Sequence, residues 1–214
     1  MVKKKLIGIT LTGAILLMGC GMAFADSADT NTLPSDQIIP ISAPINNEEP
    51  EKLFETKFKD IRKHWAFDEI VSLEEKGVWG DLSGEFKPKE VVTGAEFAAY
   101  LDKIFAFDTE PDFGFDLHGG IGRMEAAKAI EKSFTAKKLS VIMTLMFPVY
   151  DDTENLDQEE TDALSFVFNT GIMKGKTEGK FSPDDPITKA ELAVILHRTL
   201  ATLENASPME APAE

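Results

Sequence analysis

Cysteine is almost absent: one residue, Cys20, in a chain of 214. One thiol cannot close an internal disulfide or build a thiolate zinc site. Basic residues are also scarce, with 22 Lys plus Arg against 37 Asp plus Glu and a net charge of −15. No Lys/Arg run follows residue 5, so the clustered basic face that a nucleic-acid backbone requires is missing. His64, His118 and His197 are scattered, with no His pair at metal spacing and no Gly-x-Ser-x-Gly. The acidic stretches at Asp108–Asp116 and Asp151–Glu159 lack the glycine and glutamate positions of a calcium loop. The chain is therefore expected to have no enzymatic role, no cofactor and no metal.

The first 25 residues have three parts: Lys3, Lys4 and Lys5, an apolar stretch from Leu6 to Met18, and Ala23-Phe24-Ala25 before Asp26. That pattern predicts a cleaved export signal over 1–25. A competing site is Leu17-Met18-Gly19-Cys20, which resembles a lipobox and would make Cys20 a lipid attachment point and the protein membrane-anchored. The small residues at both required positions favour cleavage after Ala25. Removing Lys3, Lys4 and Lys5 leaves 19 basic against 37 acidic residues, a charge of −18.

Residues 26–53 carry Pro34, Pro40, Pro44 and Pro50 and read as a disordered acidic spacer. Residues 203–214 read as a disordered tail. Between them, 54–202 has enough apolar residues for one folded domain, and it repeats. Gly77-Val78-Trp79-Gly80 leads to Phe86-Lys87-Pro88, and Gly171-Ile172-Met173-Lys174-Gly175 leads to Phe181-Ser182-Pro183. Five residues after each proline stands Thr-x-x-Glu, as Thr93-Gly94-Ala95-Glu96 and Thr188-Lys189-Ala190-Glu191. Thr-x-x-Glu is a capping box: the hydroxyl accepts from the N3 amide and the glutamate returns to the N-cap amide. Phe97, Leu101 and Phe105 then space as one buried helical face, as do Leu192, Leu196 and Leu200. Upstream, Trp65, Ala66, Ile70 and Leu73 predict a helix ending at Gly77, and Asp157 with Glu160 caps another that ends at Gly171. Each unit is helix, glycine loop, helix.

A third, incomplete copy lies between the two. Gly122-Arg123-Met124-Glu125 aligns with the capping boxes, and Ala126, Ile130 and Phe134 repeat the stripe. Its first half is replaced by a Pro- and Gly-containing loop over 107–121. The apolar run Leu139–Phe147 follows in the vacant space, and its periodicity leaves two readings open, an extension of the helix or a short paired strand. The expected boundaries are 54–106, 107–147 and 148–202.

Phe58-Lys59-Asp60-Ile61, His64-Trp65-Ala66, the glycine loop, Phe-x-Pro and Thr-Gly-Ala-Glu, in that order, resemble an S-layer homology repeat. The resemblance implies a mainly α fold, a pseudo-threefold spindle of helix-loop-helix repeats around a central helical bundle. It also implies an exported protein at the bacterial cell surface that binds secondary cell wall polymer non-covalently, often through a pyruvate-bearing sugar. The family places arginine after the capping threonine, where a helix N-terminus with free amides would receive a carboxylate. The equivalents here are Gly94, Arg123 and Lys189, so at most two grooves keep a cation. Asp60 and Asp152 match the family's early aspartate, as a ligand contact or as a structural acceptor. Trp65 stacks on a sugar ring or belongs to the core. Anchoring members of the family carry separate cargo, and none is legible here. That leaves a second reading, a diverged structural or protein-interaction module without glycan binding.

Overall fold

The computed structural model describes residues 55–144 and 146–209. The expected signal over 1–25, Cys20, the spacer over 26–53 and residues 210–214 lie outside the described residues. Among the described residues, five helices carry the fold: α1 Phe67–Glu75, α2 Gly94–Phe105, α3 Arg123–Ala136, α4 Gln158–Asn169 and α5 Lys189–Glu204. Among the described residues, no helix is long and apolar enough to cross a membrane.

The helices start where local chemistry requires. Thr93 accepts from the Glu96 amide at 3.2 Å, and Glu96 accepts from the Thr93 amide at 3.0 Å. Thr188 with Glu191 and Asp157 with Glu160 form the same reciprocal pair. Gly122 has no side chain to offer, so α3 keeps only the returning bond, Gly122 N to Glu125 at 2.8 Å. Behind the caps, Phe97, Leu101 and Phe105 of α2, Ala126, Ile130 and Phe134 of α3, and Leu192 and Leu196 of α5 are buried in one core. α1 begins two residues after Trp65, which leaves that ring off the apolar face that Ala66, Ile70 and Leu73 bury. Gly77, at φ 72°, and Gly171, at φ 75°, take the left-handed conformation that stops α1 and α4.

The residues just before the three capped helices close a hydrogen-bonded ring. Val92 N donates to Ile187 O at 3.0 Å, Ile187 N to Ile121 O at 3.0 Å, and Ile121 N to Val92 O at 2.9 Å. All three side chains are buried, so the ring lies within the core. The first two amides of each helix extend the cycle. Those of α2 donate to Gly119 and Leu117, those of α3 to Asp185 and Pro183, and those of α5 to Glu90 and Pro88. Each capped helix is thus seated on the loop that leads into the next one around.

One stretch departs from expectation and one open reading is resolved. Residues 203–209 do not fray, because α5 runs to Glu204 and β2 (Ser207–Pro208) pairs antiparallel with β1 (Leu139–Ser140). Met209 N adds a bond to Lys138 O at 2.8 Å, so open backbone on each segment satisfies the other. The apolar run Leu139–Phe147 does not extend α3: it opens as the short strand β1, with Leu139 and Val141 packed against the core. Lys138, at φ 52°, ends the helical path, and beyond β1 the chain leaves Ile142 and Phe147 exposed.

Candidate functional site

The aspartates of the two full repeats have the same task. Asp60 accepts from the Phe86 and Lys87 amides, both at 2.8 Å. Asp152 accepts from Phe181 at 2.9 Å and Ser182 at 2.8 Å. Each carboxylate therefore holds its Phe-x-Pro turn to the repeat's first segment. Partial burial pushes both carboxyls up, but the two backbone donors outweigh it and hold each below the ordinary aspartate value.

The three helix starts differ. At α2, loop 107–121 lies directly over Gly94. A Cβ on Gly94 would sit 2.2 Å from Asp116 O and 2.9 Å from the Phe115 ring. The loop is held there by a run of rings, with Phe105 stacked on Phe107 and Phe113 on Phe115, each pair at 5.5 Å, and Phe115 edge-on to Phe97 at 6.4 Å. Glycine at 94 is thus a packing requirement of this loop, beyond the absence of a cation.

At α5, Lys189 is ion-paired with Glu90 and lies 3.8 Å from Glu96. Partial burial lowers the ammonium's pKa, but the hydrogen bond it donates to Glu90 and the two carboxylate charges outweigh it and raise it overall. Tyr100, half-buried beside this pair, is pushed up by burial and by Glu96. Lys103 fills the adjacent loop by donating to Val78 O at 2.7 Å.

At α3 the arrangement is open. Arg123 is 6% exposed, and its Nε donates to Phe181 O at 2.8 Å and Nη2 to Lys174 O at 2.6 Å. Its guanidinium carbon lies 4.9 Å from the centre of the Phe181 ring. Burial pulls its pKa below the ordinary arginine value, opposed by Glu191 and Asp185, and it stays cationic. Beside it is a cleft of about 370 Å³, lined by Trp65, Arg123, the loop Ile172–Lys176, and Glu191, Val194, Ile195 and Arg198 of α5. Trp65 is 66% exposed, its ring tilted against His64. Four cations line the cleft against one carboxylate, Glu191, which is already bonded to Thr188. Lys176 pairs with Asp185 at 2.8 Å. Gly175 cannot carry a side chain, since a Cβ would meet Tyr150 at 2.7 Å and Lys180 O at 2.9 Å.

The structure thus brings Trp65 and Arg123 to one cleft and places Lys189 at another helix start. Asp60 and Asp152 sit under the turns. The expectation of free amides at the helix starts is overturned: the first two of α2, α3 and α5 are bonded to backbone carbonyls. Any anion must therefore be held by side chains. Sequence reasoning missed Lys174, Lys176 and Arg198. The lysines stand in the glycine loop already singled out, and Arg198 lies seven residues after Glu191, on the same face of α5.

The family model for the S-layer homology domain matches residues 57–98 and 149–193, the two full repeats. This chain contains S-layer homology domains. The middle copy falls outside both matched stretches. An S-layer protein of Bacillus thuringiensis subsp. finitimus is 26% identical over 174 residues, covering 66% of this chain and 21% of the relative. An endoglucanase of Bacillus sp. (strain KSM-635) is 26% identical over 176 residues, covering 81% of this chain and 15% of the enzyme. The chain therefore spans less than a quarter of the length of either relative. S-layer homology domains occur in S-layer and other cell-surface proteins and typically bind cell wall polymers. With a mainly helical fold and that domain, this chain has the character of a surface module.

Proposed function

We propose that this is an exported, non-enzymatic module that holds an acidic polysaccharide of the bacterial wall, a secondary cell wall polymer, in the cleft beside Arg123. The repeats are read as a pseudo-threefold spindle, a reading supported by the closed ring through Val92, Ile121 and Ile187. Of its three grooves, one joins a helix-start arginine, a glycine loop and an exposed tryptophan. That conjunction carries the proposal.

Each part has a chemical role. Arg123 uses Nε and one Nη2 hydrogen on backbone carbonyls, which leaves Nη1 and the second Nη2 hydrogen for a carboxylate such as a pyruvate ketal's. The backbone bonds fix its side chain beforehand, so little rotamer entropy is lost on binding. Trp65 offers an exposed ring face to the apolar face of a sugar. Lys174 and Arg198 add local positive charge, needed because the chain's net charge of −15 repels an acidic polymer at long range. Lys189 is outside the proposed site, its charge being taken by Glu90 and Glu96. Asp60 and Asp152 act indirectly by holding the Phe-x-Pro turns.

The test is co-sedimentation of the purified protein with wall sacculi before and after chemical removal of the secondary polymer, with Arg123→Ala and Trp65→Ala alongside. Binding should be lost on stripping and weakened in both variants. Because Arg123→Ala also removes buried backbone bonds, the exposed Trp65→Ala is the cleaner arm. Undiminished binding to stripped sacculi would overturn the proposal and favour a protein-interaction module.

A further inference from the structure

A second cleft, of about 440 Å³, adjoins the first and shares two of its lining residues, Lys174 and Arg198. Its remaining walls come from Val141 and Ile142 of the segment after β1, Asn169 to Gly171 at the end of α4, and Ala201, Thr202 and Asn205 at the end of α5. The wall after β1 belongs to the apolar run that follows the incomplete middle copy, so this cleft is a feature of the irregular part of the chain.

Four observations give the second cleft a chemistry. Among the described residues, neither Lys174 nor Arg198 has a carboxylate partner, in a chain with 37 acidic residues. Arg198 makes one long bond, 3.5 Å to Ile172 O, which leaves most of its donors open to the clefts. The outer wall is fixed: Asn169 Nδ2 donates to Met146 O and Met146 N donates to Asn169 Oδ1, both at 2.9 Å. Ile142 therefore stands fully exposed on an anchored segment at the cleft edge. Asn205 uses Nδ2 on Ala201 O and keeps Oδ1 as an acceptor. An apolar wall, an amide acceptor and two uncompensated cations at the junction match a sugar ring with a negative charge on one side.

We infer that the two clefts form one extended site for an acidic oligosaccharide of at least two residues. One ring lies at Trp65 with its carboxylate on Arg123, the next lies at Ile142, and Lys174 and Arg198 hold a further acidic group at the junction between them. This rests on the glycan reading given above and adds length recognition to it. Ala201 is exposed and lines the second cleft alone, so Ala201→Phe fills that cleft without touching the first.

The experiment is titration calorimetry of the full mature chain with two probes. One is the 4,6-pyruvate ketal of a methyl hexoside. The other is a set of polymer fragments of two or more sugar residues, released from sacculi by mild acid and sorted by length. Fragments should bind at least about tenfold more tightly than the single ring. Ala201→Phe should abolish that advantage and leave single-ring affinity unchanged. Equal affinity for both probes, or a length advantage that survives Ala201→Phe, overturns the extended site while leaving the glycan reading standing. Binding of neither probe overturns both. Circular dichroism confirms that the Ala201→Phe chain is folded, and Ala201→Leu, a smaller plug, should give an intermediate loss.

Discussion

Gly94→Ala separates a packing requirement from a lost binding residue. In wild type the loop is tied over α2 by Gly94 N to Gly119 O at 3.0 Å and Ala95 N to Leu117 O at 2.9 Å. An added Cβ would meet Asp116 O at 2.2 Å, about 1 Å inside an ordinary carbon–oxygen contact. The obstruction is backbone, tethered on its far side by the two bonds just named, so relief requires moving the loop. Overpacking of this kind costs about 1–3 kcal/mol, and the better helix propensity of alanine returns less than about 1 kcal/mol. The net loss should be about 1–2 kcal/mol, a fall in Tm of roughly 2–8 °C for a domain of this size. Thermal and urea denaturation followed by circular dichroism would read it. Gly77→Ala is the contrast, since its φ of 72° is unfavourable for alanine while its Cβ would meet nothing within 4 Å. Gly94→Ala matching or exceeding wild-type stability would refute the packing argument, and so would Gly94→Arg creating a second binding groove.

Three further outcomes follow from the same geometry. Asp60 and Asp152 have folded pKa values below the ordinary 3.8, so their contribution is present above that value and lost as pH falls through the folded pKa. Asp60→Asn and Asp152→Asn should each lower stability at pH 7, by no more than about 1 kcal/mol because both carboxylates are exposed and screened, and flatten the acid limb below about pH 4, as read by urea titration across pH. Lys189→Ala should change sacculus binding by less than about twofold and stability by less than about 1 kcal/mol, since its partners are half-exposed; pull-down and thermal melts would check both. Thr93→Ala and Thr188→Ala, which each remove a side-chain cap, should each cost about 1 kcal/mol in urea melts.

What was legible in the sequence was what depends on near neighbours. Thr93 with Glu96, Thr188 with Glu191 and Asp157 with Glu160 lie three residues apart, and all three pairs formed. The stripes Phe97–Phe105 and Ala126–Phe134 followed helical period and were buried. Partners distant in sequence or outside the repeat were not legible. Gly94 reads as a missing cation because its neighbour, Asp116 O, belongs to a loop with no counterpart in the other repeats. Lys189 keeps its charge in the sequence, but Glu90, which takes that charge, is 99 residues away. The helix amides were assigned to a ligand because a single helix leaves them open, whereas the cyclic seating of α2, α3 and α5 closes them. Trp65 fell on an apolar spacing only if the helix began at or before it, and α1 begins at Phe67.

The central claim is that the cleft beside Arg123 receives the wall polymer, and the emission of Trp65 tests it most directly. The chain has two tryptophans, and Trp79 is buried with its Nε1 bonded to Ile70 O at 2.8 Å, so Trp65 dominates any ligand-dependent change. Purified secondary polymer should shift the emission in a saturable way, and Trp65→Phe should abolish the shift. Saturable binding of the polymer with no change in Trp65 emission would contradict the claim.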